Sequence, residues 1–224
     1  MHKTLIIILS LISNFVFAQF ISISKVEKTS NNNDKFLYHI NPEITSADYL
    51  GEIEVEGFTN HDAEVFSQVY KKAKTFGANA FAIKKQETID SGLQKFDPSH
   101  YILSMYYIAE SPREDNAVYI ISSSEKVQNI VVDGKKISVQ PRSYIKKQLK
   151  DGEVSSISTG KFLGSKIMLA SKQNQPVQYF QIVPGGIHAD RSGVQGGLNL
   201  KSGDIILLEK SYAQFLTAIY QEQK

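Results

Sequence analysis

Residues 51–57, Gly-Glu-Ile-Glu-Val-Glu-Gly, alternate charge and apolar bulk without exception, and a helical pattern follows at once. In a strand, neighbouring side chains point to opposite faces, so Glu52, Glu54 and Glu56 share one face while Ile53 and Val55 share the other. The segment predicts a strand with one buried side and one wet, acidic side. Ala63, Phe66, Val69, Tyr70, Ala73 and Phe76 then recur at three- and four-residue intervals, the stripe of an amphipathic helix. Thr59 with Asp62 three residues on forms an N-terminal capping arrangement, and Gly77 stands where a left-handed C-terminal cap is needed. Residues 80–86 (AFAIKKQ) and the aromatic-rich 101–109 (YILSMYYIA) read as two further strands. The sum is a small β-α-β-β unit over 19–110, with short strands at 19–26 and 36–40 before it and a polar loop, TSNNND, between them. Alternation puts Tyr101 and Tyr107 on one face of their strand and Tyr106 on the other. Tyrosine suits both cores and contact surfaces.

Residues 111–116 (SPREDN) are polar, contain proline and separate two apolar runs, so they read as a linker. The rest, 117–224, reads as mostly β, a sandwich or partial barrel with a C-terminal helix. Its strands are expected at 118–121, 130–132, 135–139, 144–149, 162–170, 177–183 and 204–208. Asp133-Gly134 between two of them suits a two-residue primed turn. In the last helix Ser211 and Gln214 fit a capping box, with Tyr212, Phe215, Leu216 and Ile219 as the apolar face. The fold class expected for the whole chain is therefore α+β.

The N-terminus carries an address. One lysine, Lys3, precedes an apolar run from Leu5 to Phe17, and Ala18 precedes Gln19. That is the layout of a secretory signal, with cleavage expected after Ala18, and the run is too short for the ~20 apolar residues of a bilayer span. It resembles exported proteins of the Bacteroidetes type, whose signals often end in Phe-Ala-Gln. With no cysteine in the chain there is neither an acylated N-terminal Cys nor a disulfide. No later run reaches spanning length, so no transmembrane span is expected once the signal is removed, and the protein is expected in the periplasm or outside the cell.

Leu50-Gly51-Glu52-Ile53-Glu54-Val55 and the helix end Lys71-Lys72-Ala73-Lys74-Thr75-Phe76-Gly77-Ala78-Asn79-Ala80 resemble a group of small bacterial envelope domains. The group includes domains labelled putative heavy-metal-binding and the domain of the Rcs stress-sensing lipoprotein. The resemblance covers about a quarter of the chain and implies a fold; the acylation and disulfides of the Rcs type do not transfer to a cysteine-free chain. The second half loosely looks like PEGA-like β-domains of bacterial lipoproteins, through Val118-Tyr119-Ile120, Val132-Asp133-Gly134-Lys135 and Tyr179-Phe180-Gln181-Ile182. Gly196-Gly197-Leu198 with Ser202-Gly203-Asp204-Ile205-Ile206-Leu207 is similar to one stretch of PDZ domains.

Chemistry is sparse. With 25 Lys+Arg against 23 Asp+Glu the chain lacks the basic excess of a nucleic-acid binder. Five histidines (His2, His39, His61, His100 and His188) are scattered, with no H-x-x-x-H spacing. His61-Asp62 with Glu64 is the best local ligand group, though acids at a helix start also complement its dipole. His188 and Asp190 stand together in a glycine-rich loop, and the Glu52-Glu54-Glu56 strip could hold a cation or a basic partner. There is no G-x-S-x-G elbow and no phosphate loop at Pro184-Gly185-Gly186 or Gly196-Gly197. No catalytic, cofactor or metal residue is therefore assigned from sequence, and no cofactor is expected. The leading expectation is a non-enzymatic envelope protein with an unidentified envelope partner. A metal- or small-ligand-binding module comes second, and a hydrolase with a site built from distant residues, His100 or His188 beside a serine and a carboxylate, comes third.

Overall fold

The computed structural model describes residues 19–85, 96–160, 164–183 and 205–224. The expected signal segment, the glycine-rich loop with His188 and Asp190, and the PDZ-like stretch up to Asp204 lie outside the described residues. What is described is a β-rich α+β fold: fourteen strands in three sheets and two helices, with no sheet closed into a barrel. Among the described residues no helix is long and apolar enough to cross a membrane.

The first sheet has the order β1-β3-β5-β4-β2, formed by β1 (Phe20–Val26), β2 (Tyr38–His39), β3 (Asp48–Glu56), β4 (Ala80–Ile83) and β5 (His100–Tyr107). Ile53 and Val55 are fully buried, as their alternation requires, and pair across with Leu103 and Tyr101. Helix α1 (Asp62–Thr75) covers that face with Val65, Val69 and Ala73. The buried stripe sits a little differently from the expected one: Ala63 is exposed, whereas Val65 and Asp62 are buried. Thr59 does not cap the helix. His61 is the N-cap, without a side-chain cap bond, and Thr59 Oγ1 instead accepts from the His61 N–H at 3.1 Å.

The second half supplies two sheets. One has the order β11-β10-β7-β8, from β7 (Gln128–Val132), β8 (Lys135–Val139), β10 (Val154–Ser158) and β11 (Lys166–Ala170). The other is β13-β12-β6-β9-β14, from β6 (Ala117–Ile121), β9 (Ser143–Gln148), β12 (Gln178–Ile182), β13 (Ile205–Leu207) and β14 (Gln221–Glu222). They pack face to face over Val118, Ile120, Phe180 and Ile182 on one side and Ile130, Val132, Ile157 and Leu169 on the other. The alternate residues Tyr119, Ile121 and Tyr179 leave the opposite face and join the core beneath the first sheet. A strand apolar on both faces is why Ala117–Ile121 reads as an unbroken run.

Helix α2 (Lys210–Ile219) fills the space between these layers, burying Ala213, Phe215, Leu216 and Ile219 in the same cluster as α1 and the first sheet. Phe215, Leu216 and Ile219 each contribute about 1.5–3 kcal/mol of hydrophobic stabilisation. The expected capping box is not what forms. Glu209 is the N-cap and accepts from the Ser211 and Tyr212 N–H groups. Ser211 Oγ and Gln214 Oε1 are thereby free to accept from the N–H groups of Leu37 (3.1 Å) and His39 (3.0 Å). The C-terminal helix thus satisfies the outer edge of β2, a backbone edge that would otherwise need solvent or another strand.

Asp133 and Gly134 take the left-handed conformations of a primed turn, and the β7–β8 hairpin closes on them. The Asp133 carboxylate also binds Lys147 Nζ (2.7 Å), the Ser156 N–H (2.7 Å) and Ser155 Oγ (3.0 Å). The bond from Lys147, then that from the Ser156 amide, holds this carboxyl below its ordinary value of 3.8. A lowered folded pKa contributes stability above the unfolded value and loses it as the pH falls through the folded value. Asp133→Asn is therefore expected to destabilise more at about pH 7 than at about pH 3, where the contribution has begun to fall. Urea midpoints at the two pH values check this; an equal loss at both would assign Asp133 a purely steric role.

Candidate functional site

The outer face of the first sheet is where the acidic strip comes to lie, and its three glutamates have different fates. Glu52 accepts from Lys84 Nζ at 2.7 Å and from the Tyr49 hydroxyl at 2.9 Å. Burial favours its neutral form, but those two bonds outweigh burial and hold its carboxyl below the usual range. Tyr49 is pushed up in turn, by burial and by its bond to Glu52. Glu54 and Glu56 have no lysine or arginine partner among the described residues.

What they have is His100. The β3–β5 register sets Glu56 directly opposite His100 and Glu54 opposite Ile102. His100 Nε2 lies 2.7 Å from Glu54 Oε1, a diagonal contact across the two strands. One ligand atom from each of Glu54, Glu56 and His100 falls within 4.8 Å of the other two. The histidine is held from behind: Asp97 Oδ1 accepts from the Ser99 N–H (2.8 Å) and hydroxyl (2.7 Å), and the His100 N–H donates to the Asp97 carbonyl. Gly57 N–H donates to the Ser99 carbonyl at 2.8 Å, which carries the ladder one step past Glu56. On the far side β1 places Phe20 opposite Glu56 and Ser22 opposite Glu54, and Phe20 is 61% exposed. The row Phe20–Glu56–His100 thus crosses three strands on one open face.

Other expected ligands are committed elsewhere. Asp62 is 5% exposed, and its carboxylate accepts from Arg142 Nη2 at 2.9 Å and from the Tyr220 hydroxyl at 2.6 Å. The His61-Asp62-Glu64 group therefore does not assemble. The Arg142 guanidinium also lies over the Tyr220 and Phe58 rings, 5.0 and 5.2 Å from their centroids. Burial first, then the Asp62 charge, pushes the Tyr220 phenol far above its ordinary value. His39 stacks on Phe81. His100 donates to or accepts from no serine hydroxyl among the described residues. A shallow, open groove of about 570 Å³ lies between Asn116, Asp151, Lys172 and Asn174. Its polar groups largely bond one another, with the Lys172 N–H on Asn116 Oδ1 and Ser171 Oγ on Asp151.

The residues of the Gly-Ala-Asn-Ala motif turn out to be structural. Gly77 caps α1, Ala78 and Ala80 are fully buried, and the Asn79 side chain bonds both the N–H and the carbonyl of Ile108 at 2.8 Å. No protein-family model matches the chain, and no curated protein or solved structure gives a significant match. The class defined here is therefore one of fold and surface alone: a β-rich α+β protein that presents an open sheet face with a mixed carboxylate–imidazole group beside a strand edge that is unpaired among the described residues.

Proposed function

We propose that this chain is exported, loses its leader after Ala18, and works in the cell envelope as a non-enzymatic binding protein that acts through protein contacts. The observation that carries the reading is the edge of β1. Among the described residues this seven-residue strand pairs only with β3, and it exposes Phe20 (61%), Ile23 (37%) and Val26 (53%). An unpaired edge is a template for another strand, and exposed strands are ordinarily protected by proline, charge or a covering element. Here the devices are slight: Lys25 and one irregularity of register sit at the C-terminal end, while the other end is open and apolar. The opposite edge of the same sheet, β2, is closed by Ser211 and Gln214. The partner that fits is an extended segment of an envelope protein, bound by main-chain hydrogen bonds along β1.

A photo-crosslinking residue placed at Ser22 of a C-terminally tagged copy, in living cells, is expected to capture one envelope protein in stoichiometric amount. The same residue at Glu125, on a loop of the second half, is expected to capture none. Equal capture from both positions, or recovery of the bare protein alone, would overturn the reading.

A further inference from the structure

We propose that Glu54, Glu56 and His100 bind one divalent first-row transition-metal ion, a site that goes beyond the contact function and does not depend on it. Four features support this. The donor set is mixed, two carboxylates and one imidazole, which suits zinc-like ions better than the all-oxygen sets preferred by Mg²⁺ and Ca²⁺. The donors are on the two central strands β3 and β5 of one sheet, so their backbones are fixed by a continuous ladder and only side-chain rotations are needed to close on an ion. Coordinated atoms around a zinc ion at about 2.0–2.2 Å sit about 3–3.5 Å apart, and these three atoms already lie within 4.8 Å of one another.

The fourth feature is charge. Glu54 and Glu56 occupy alternate positions of one strand and so lie on the same face, where like charges repel. Glu52, next in the same row, is neutralised by Lys84. Among the described residues no arginine or lysine does the same for the pair. His100 turns its Nε2 toward them, an orientation that serves a metal as well as a carboxylate. With three protein donors and an open face, the remaining coordination positions are available to water or to a donor brought by a bound partner.

The test is titration of the isolated full-length protein with Zn²⁺, read by calorimetry and by the zinc retained after dialysis. One equivalent is expected to bind, to raise the thermal midpoint, and to resist displacement by a large excess of Mg²⁺. His100→Gln and Glu56→Gln, both exposed and so tolerated by the fold, are each expected to weaken binding at least about tenfold. His61→Gln, an exposed histidine beside an acid elsewhere, is the control and is expected to change nothing. Absence of binding, release by Mg²⁺, or affinity unchanged in His100→Gln or Glu56→Gln would overturn the site. Loss of the site would leave the β1 reading standing, because crosslinking from Ser22 is measured separately.

Discussion

Arg142→Met is expected to cost about 3–5 kcal/mol of stability, a large part of what a domain of ordinary stability possesses. The reason is the position of Asp62. This carboxylate is 5% exposed, in a space shared with Tyr101, Tyr212 and Tyr220, and Arg142 is its cation. Removing the guanidinium leaves a buried charge with, among the described residues, only the Tyr220 hydroxyl against it. The arginine also ties the start of α1, through the Thr59 carbonyl and Asp62, to the β9 end of the central sheet. Its own carbonyl accepts from the N–H of Gln221, the first residue of the last strand, at 3.0 Å. Three parts of the chain that are remote in sequence therefore meet at one side chain.

Methionine keeps the stem's length and apolar contact, so the loss reports charge and hydrogen bonding more than packing. Arg142 has a positive φ of 54°, and methionine inherits that strain without adding the branching that would deepen it. Adding Asp62→Asn to Arg142→Met removes the orphaned charge while keeping an acceptor for Tyr220. The double variant is expected to be more stable than Arg142→Met alone, a sign of direct coupling. Urea unfolding of the parent, both singles and the double checks this. A loss below about 1 kcal/mol for the single would place the pair with exposed salt bridges, which contribute little.

None of this pair was legible in the chain. An aspartate at a helix start reads as a dipole partner facing water, and Arg142 lies 80 positions away. Strand β10 was missed for a related reason. Its sequence, VSSIS, puts a serine where a strand core expects an apolar residue, yet Ser155 is fully buried because Asp133 supplies its hydroxyl with an acceptor. Gln214 reads as a capping residue and instead satisfies His39 in the first sheet, again a partner that only the fold reveals. What was legible was periodic. Alternation placed Glu52, Glu54 and Glu56 outside and Ile53 and Val55 inside, and separated Tyr101 from Tyr106. The Asp133-Gly134 turn and the Gly77 stop were readable because each needs a residue type that few others can replace. His100 beside Glu54 was not, since it depends on the β3–β5 register, and the helix between those strands carries no mark of it.

Gly77→Ala separates two effects of one glycine. Gly77 has φ +78° and forms a Schellman cap: its N–H donates to the Lys74 carbonyl, and the Ala78 N–H reaches back to Ala73. Any L-residue there pays about 1–2 kcal/mol for the left-handed conformation. A Cβ would also sit 1.8 Å from the Ser30 carbonyl oxygen and 2.7 Å from its carbon, both backbone atoms. That backbone cannot yield cheaply. Ser30 N–H is bonded to the Phe76 carbonyl, and Lys74 Nζ holds the following loop through the carbonyls of Asp34 and Phe36, each at 2.7 Å. Burial pushes the Lys74 ammonium below its ordinary range, despite the nearby Asp34. Alanine at 77 must therefore displace the loop from the helix end, adding about 1–3 kcal/mol of overpacking to the conformational cost. Gly134→Ala supplies the comparison, because its φ is +80° and a Cβ there meets nothing within 4 Å. Gly134→Ala is expected to lose only the conformational part, and Gly77→Ala clearly more, in the same urea titration. Equal losses would mean that the loop gives way freely and that the contact between Ser30 and the helix end holds nothing in place.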